Sequence, residues 1–206
     1  KRIISDLSAA LAYGKRVSFV VPGGTTPAPI FDQLCSANID WHKVDVMLSD
    51  ERWVPINNPR SNTYLLNNRL FVDCAAQAGK IPLYLPRETP EIAIAEIQDK
   101  CSSIFPISVL LLGMGLDMHT ASLFPGADKI DLALSNDAPV LLAMRSEKVP
   151  EARITITAPY LNQSRKKYLV ILGKKKREAL ERAITLPYRD APINAVLDNC
   201  SVLWAD

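Results

Sequence analysis

Ile107-Ser108-Val109-Leu110-Leu111-Leu112 (ISVLLL) is the most apolar run of the chain, and it stops at Gly113. A short aliphatic run bounded by glycine reads as a strand buried on both faces, the place of a central strand in a parallel sheet. Working outward, three similar runs each end in a polar turn. Arg16–Val21 (RVSFVV) stops at Pro22-Gly23-Gly24, Val44–Leu48 (VDVML) at Ser49-Asp50-Glu51-Arg52, and Tyr168–Leu172 (YLVIL) at Gly173. Residues 138–144, 154–157 and 201–204 are shorter strand candidates. Helical periodicity fills the spaces between, over Pro27–Cys35, Ser61–Val72 with Ser61 as a natural N-cap, Glu91–Ser102 and Lys174–Thr185. Lys1–Tyr13 reads as the end of a helix feeding the first strand. This alternation predicts an α/β fold with a mostly parallel sheet covered by helices on both faces.

The 206 residues favour a single domain, large enough to fold without a disulfide or metal staple. Lysine and arginine number 24 against 22 aspartate and glutamate, a balance that excludes a strongly basic nucleic-acid binder and leaves room for a local basic pocket. No apolar run approaches the ~20 residues of a membrane span, and no signal peptide opens the chain. The first residue is Lys1 rather than Met, so an incomplete N-terminus is expected. Cys35, Cys74, Cys101 and Cys200 form no C-x-x-C pair and are expected as buried, reduced thiols. His42 and His119 lie far apart, His42 in a polar connection as an expected surface residue; no zinc spacing exists, and no metal is expected.

In open α/β sheets, ligands bind beyond the carboxyl ends of the strands, so parallel strands gather the four turns on one edge. Gly23-Gly24-Thr25-Thr26-Pro27 allows close backbone approach and opens a helix, where Thr25 and the backbone can hold an anion. In Ser49-Asp50-Glu51-Arg52, Arg52 offers a bidentate fork for phosphate, and Asp50 or Glu51 can orient it or meet a sugar hydroxyl. In Gly113-Met114-Gly115-Leu116-Asp117-Met118-His119, Asp117 can fix the tautomer of His119, which then serves as a general base near neutral pH. The same stretch fails as a dinucleotide fingerprint, because Met118 stands where the third glycine belongs. Lys174-Lys175-Lys176-Arg177 places cations against the helix macrodipole, which a bound anion would relieve. Each turn alone has a bland reading, as a tight turn, a solvated strand end, a structural histidine or a charged helix start; together they point to one cleft.

GGTTP, SDERWVP followed by Ser61-Asn62, GMGLDMHTASLFPG, Arg153–Thr157 (RITIT) and GKKK before a helix occur here in one order. Over about Val17 to Asp206 the chain resembles the 6-phosphogluconolactonase family. Glucosamine-6-phosphate deaminases share the fold but typically carry D-E-Y in place of Asp50-Glu51-Arg52 and lack the ASLFPG ending. The resemblance implies an open Rossmann-like α/β/α domain and a cytoplasmic enzyme acting on a sugar-phosphate lactone, with no metal or nucleotide cofactor. It also implies missing N-terminal residues that normally supply the first helix. His119 matches the family's catalytic histidine, Asp117 its neighbouring carboxylate, Arg52 and Lys176 cations of the phosphate site, and Arg153 a family arginine. With Gly23, Gly24, Thr25 and Asp50, these are the candidate site residues. Met118 stands where the family has glycine; because Asp117 and His119 are kept, a turn adapted to φ < 0 is expected.

A small-molecule substrate, no nucleic acid, no membrane, and a monomer or weak homo-oligomer complete the expectation. Two readings compete: a sugar-phosphate isomerase or deaminase of the same fold, which would release ammonia from an amino sugar, and a sugar-phosphate-binding domain without turnover. A nucleotide-binding oxidoreductase has no intact fingerprint here.

Overall fold

The computed structural model describes residues 1–206. Five residues of β1 (Val17–Val21) and four of β5 (Val109–Leu112) are all buried, so the centre of the sheet is covered on both faces. β1 pairs with β5 on one side and with β2 (Val44–Leu48) on the other. The sheet continues from β2 to β4 (Gly79–Ile81), and from β5 through β8 (Lys166–Leu172) to β9 (Cys200–Ala205). Every pairing is parallel. The strand order β4-β2-β1-β5-β8-β9 reverses between β1 and β5, a topological switch point where a crevice opens. The turns after β1 and β5 are GGTTP and GMGLDMH.

Around the sheet lie α1 (Arg2–Leu11), α2 (Ala28–Leu34), α3 (Asn62–Arg69), α4 (Pro90–Cys101), α5 (Ile130–Leu134), α6 (Ala158–Asn162) and α7 (Lys174–Ala183). α1 packs on β1 and β5, and α7 on β8. One hydrophobic cluster, with Trp41, Phe19 and Phe31 among its largest members, runs through the whole chain. No helix is long and apolar enough to cross a membrane.

Three expectations are corrected. Residues 138–144 and 154–157 do form strands, β6 (Leu141–Met144) and β7 (Arg153–Ile156), but in a separate antiparallel sheet. The third member of that sheet is Asp50–Arg52, read from the sequence as a turn and here β3. Pairing with β7 carries its charged residues into the interior, which polarity alone would not predict. Finally, Cys35 and Cys101 are buried, but Cys200 is half-buried and Cys74 is exposed. His42 is exposed, as expected.

Candidate active site

The antiparallel sheet stands at the carboxyl edge of the parallel one because β3 follows β2 after a single residue. There Ser49 bridges the two: its N–H donates to Val21 O at 2.8 Å, and its carbonyl accepts from Ile156 N at 2.9 Å. A cleft of about 340 Å³ opens between the two sheets. Gly23, Gly24, Thr25, Asp50, Arg52, His119, Arg153 and Lys176 all line it, so the four turns and β7 meet at one place. Asp117 stands behind His119 rather than on the cleft wall.

The Asp117–His119 pair is the chemical centre. Asp117 Oδ1 lies 2.5 Å from His119 Nδ1, and both side chains are about one-third exposed. A carboxylate at Nδ1 keeps the proton there and leaves Nε2 as the basic nitrogen. Burial pushes the Asp117 carboxyl up, but its hydrogen bond and charge interaction with His119, helped by Lys148, outweigh this and hold it below its ordinary range. The turn is tied by Gly115 N–H to His119 O at 3.0 Å, Met118 N–H to Gly115 O at 3.0 Å, and Ile193 N–H to Met118 O at 3.0 Å. Met118 has φ +67°, which overturns the expected φ < 0: the turn keeps the left-handed geometry that suits glycine, and methionine occupies it. Ala121, two residues after His119, is also left-handed at φ +47°.

Glu51 explains why SDERWVP and Ser61-Asn62 belong together. It is fully buried and turns away from the cleft. Its Oε1 accepts from Arg52 N and Asn62 N, both at 2.7 Å. Its Oε2 accepts from Ser61 Oγ at 3.0 Å and from Thr63 N and Oγ1 at 2.7 Å. A carboxylate thus seats the N-terminus of α3, where negative charge is favoured, while Ser61 caps the same helix through Tyr64 N. The arrangement sets Asn62 against the first turn: Asn62 Nδ2 donates to Asp50 O at 2.9 Å. A Cβ on Gly23 would overlap the Asn62 amide, so only glycine fits there.

The cations come in from three directions. Arg52 and Arg153 are register partners across β3 and β7, and Arg52 is held by a hydrogen bond that its Nη1 donates to Arg60 O. Like charges directly opposite on paired strands are destabilising, and an anion between them reverses the sign. Arg153 is 6% exposed, its Nε has no hydrogen-bond partner, and its nearest carboxylate, Asp50, is 3.9 Å away. Burial pushes its guanidinium below the usual arginine range; Asp50 opposes the shift and Arg52 adds to it. Asp50 is itself fixed by Ser122 Oγ at 2.6 Å, so it serves Arg153 rather than Arg52. Lys176, on the first turn of α7, is half-buried, and burial lowers its ammonium pKa.

Asn62, Ser122 and the Arg60–Glu151 ion pair that anchors the neighbouring loop are contributors the sequence left without a role. Asn62 and Ser122 lie inside motifs already conspicuous in the sequence; nothing there marks Glu151. No three His, Cys, Asp or Glu side chains converge as metal ligands would.

Residues 1–204 match the family of glucosamine-6-phosphate isomerases/6-phosphogluconolactonase. The chain belongs to this family. Among curated members, the 6-phosphogluconolactonase of Rhizobium meliloti (strain 1021) is 38% identical over 206 residues, covering 97% of this chain and 89% of the relative. That of Pseudomonas putida is 36% identical over 208 residues, covering 98% and 85%. The crystal structure of a 6-phosphogluconolactonase from Shewanella baltica OS155 matches with TM-score 0.94 at 32% identity, over 98% of this chain and 89% of that one. A putative 6-phosphogluconolactonase from Neisseria gonorrhoeae FA 1090 matches with TM-score 0.91 at 30% identity, over 100% and 92%. The three-layer family fold is thus the fold of this chain.

Proposed function

We infer that this chain hydrolyses 6-phospho-D-glucono-1,5-lactone to 6-phosphogluconate, with His119 as general base. The observation that carries this reading is the Asp117–His119 pair at 2.5 Å, facing a cleft that also holds Arg52, Arg153 and Lys176. The substrate phosphate is largely dianionic at neutral pH and matches these cations, with Thr25 and the Gly23-Gly24 backbone beside them. Its anchoring leaves the lactone carbonyl toward His119.

His119 Nε2 takes a proton from water as the water oxygen bonds to C1. The carbonyl electrons move onto oxygen, and neighbouring donors stabilise the oxyanion. On collapse, the bond from C1 to the ring oxygen breaks, and the imidazolium returns its proton to that oxygen. Ionised Asp117 holds Nδ1–H throughout and stabilises the imidazolium. The lactone needs only water as co-reactant, and all residues invoked come from one chain, so a monomer suffices. A freely diffusing sugar phosphate fits a cytoplasmic setting.

The test is hydrolysis of freshly prepared lactone, corrected for spontaneous opening. Enzyme-dependent proton release with saturation is expected. Ammonia release from glucosamine 6-phosphate without lactone hydrolysis would instead favour the deaminase branch of the family.

A further inference from the structure

Phe124 touches both halves of the site. Its ring centroid lies 4.5 Å from that of His119, tilted by 43°, and the Arg153 guanidinium carbon lies 5.7 Å from the same centroid. Phe124 is 4% exposed and lines the cleft. The backbone fixes it from both sides: Leu123 bridges back to Thr120, and Ala127 N–H donates to Phe124 O at 3.1 Å.

We propose that Phe124 is a positioning residue shared by the base and the buried arginine, setting His119 and Arg153 against each other for the lactonase reaction. The proposal rests on the function inferred above. The His119 ring is tethered by Asp117 through one ring nitrogen, which leaves the imidazole free to tilt about that contact. The Phe124 ring removes this freedom. Arg153 has no hydrogen bond at Nε, and its ion pair with Asp50 is long at 3.9 Å and outside hydrogen-bond reach, so the aromatic ring and packing supply the rest of its hold. A guanidinium within ~6 Å of a ring centroid is attracted by the ring quadrupole, more strongly where water is excluded. One aromatic side chain therefore fixes the distance between the nitrogen that takes the proton and a cation that meets the substrate. An aliphatic side chain of equal volume fills the same space but supplies neither the ring quadrupole nor a flat face for the imidazole.

Phe124→Met and Phe124→Tyr separate these roles, because methionine keeps the volume without the ring and tyrosine keeps the ring. Both are assayed for kcat and KM on the lactone, and for melting temperature. The methionine variant is expected to lose about tenfold in kcat at near-unchanged melting temperature, the scale of a small misplacement of a catalytic group. The tyrosine variant is expected to stay within about threefold of the parent, too little for such a misplacement. In NMR spectra of the parent, the His119 ring protons should carry an upfield ring-current shift that disappears in Phe124→Met and persists in Phe124→Tyr. A methionine variant with parental kcat, or a tyrosine variant that falls as far as methionine, overturns the proposal. If Phe124→Met does not fold, Phe124→Leu takes its place under the same criteria. A parent chain that fails to hydrolyse the lactone contradicts the inferred function instead, while the ring-current shift still reports on the geometry.

Discussion

The N–H of Gly115 donates to the carbonyl of His119 at 3.0 Å, and a Cβ on Gly115 would fall closer than 3.0 Å to the His119 ring and the Asp117 carboxylate. The base and its carboxylate partner are thus built over a residue with no side chain. Gly115→Ala forces the pair to move while leaving the sheet untouched. Its kcat is expected to fall by about 10²-fold, as for a displacement of roughly an ångström, with little change in melting temperature. Parental kcat in this variant would mean that the pair has room to spare.

The three cations are expected to act on the phosphate. Arg52→Ala and Lys176→Ala should each weaken 6-phosphogluconate binding by about 1.5–3 kcal/mol, the cost of one charge-assisted contact. Gluconate, which lacks the phosphate, should be affected much less. Calorimetric titration with both ligands decides the matter, and equal losses would remove these residues from the phosphate site.

Lys176 also gives the site a pH dependence. Burial lowers its pKa from the ordinary lysine value, so its proton is lost earlier as pH rises. Affinity for 6-phosphogluconate should therefore decline through the alkaline range before an ordinary lysine would titrate, and Lys176→Ala should abolish the decline. In the free protein the sign is opposite. Between the lowered folded value and the ordinary one the unfolded chain binds more protons, so this group makes the fold more stable as pH rises. Affinity measured at stepped pH for parent and variant checks the first statement, and denaturant unfolding the second.

Met118 holds a left-handed backbone at φ +67° while packing against the core. A non-glycine residue in that region costs about 1–3 kcal/mol, and Met118→Gly gives part of the gain back as unfolded-state entropy and lost packing. A net gain of about 1 kcal/mol is expected, seen as a rise of about 2–4 °C in melting temperature for a chain of this size. A fall would show that the methionine side chain contributes more through packing than its backbone costs.

The centre of the parallel sheet is legible because β1 and β5 are buried on both faces and carry unbroken apolar runs, Phe19-Val20-Val21 and Leu110-Leu111-Leu112, whereas the short, half-exposed edge strand β4 carries no such run. The polar turns after them marked the cleft for the same reason: charge and glycine directly after a buried strand need an explanation. Of the second sheet, β6 and β7 are legible as strands, but β3 and the separate antiparallel pairing are not. Asp50-Glu51-Arg52 looks like a solvated strand end, and only the partners of Glu51, eleven and twelve residues further along, turn it into an interior strand. Asp50 reads from the sequence as a partner for Arg52 or for a sugar hydroxyl; its ion pair with Arg153 is not visible there, because Arg153 arrives from 103 positions away through β3–β7 pairing. The backbone at Met118 was misjudged because side-chain chemistry carries no record of φ once glycine has been replaced.

In the proposed mechanism His119 is the group that activates water. Hydrolysis of freshly prepared 6-phosphogluconolactone by His119→Ala, corrected for spontaneous opening and read beside its melting temperature and 6-phosphogluconate affinity, tests this most directly. Turnover about 10²–10⁴-fold below the parent is expected, the usual contribution of a general base, with fold and ligand binding retained. Parental turnover in a folded His119→Ala chain would contradict the account.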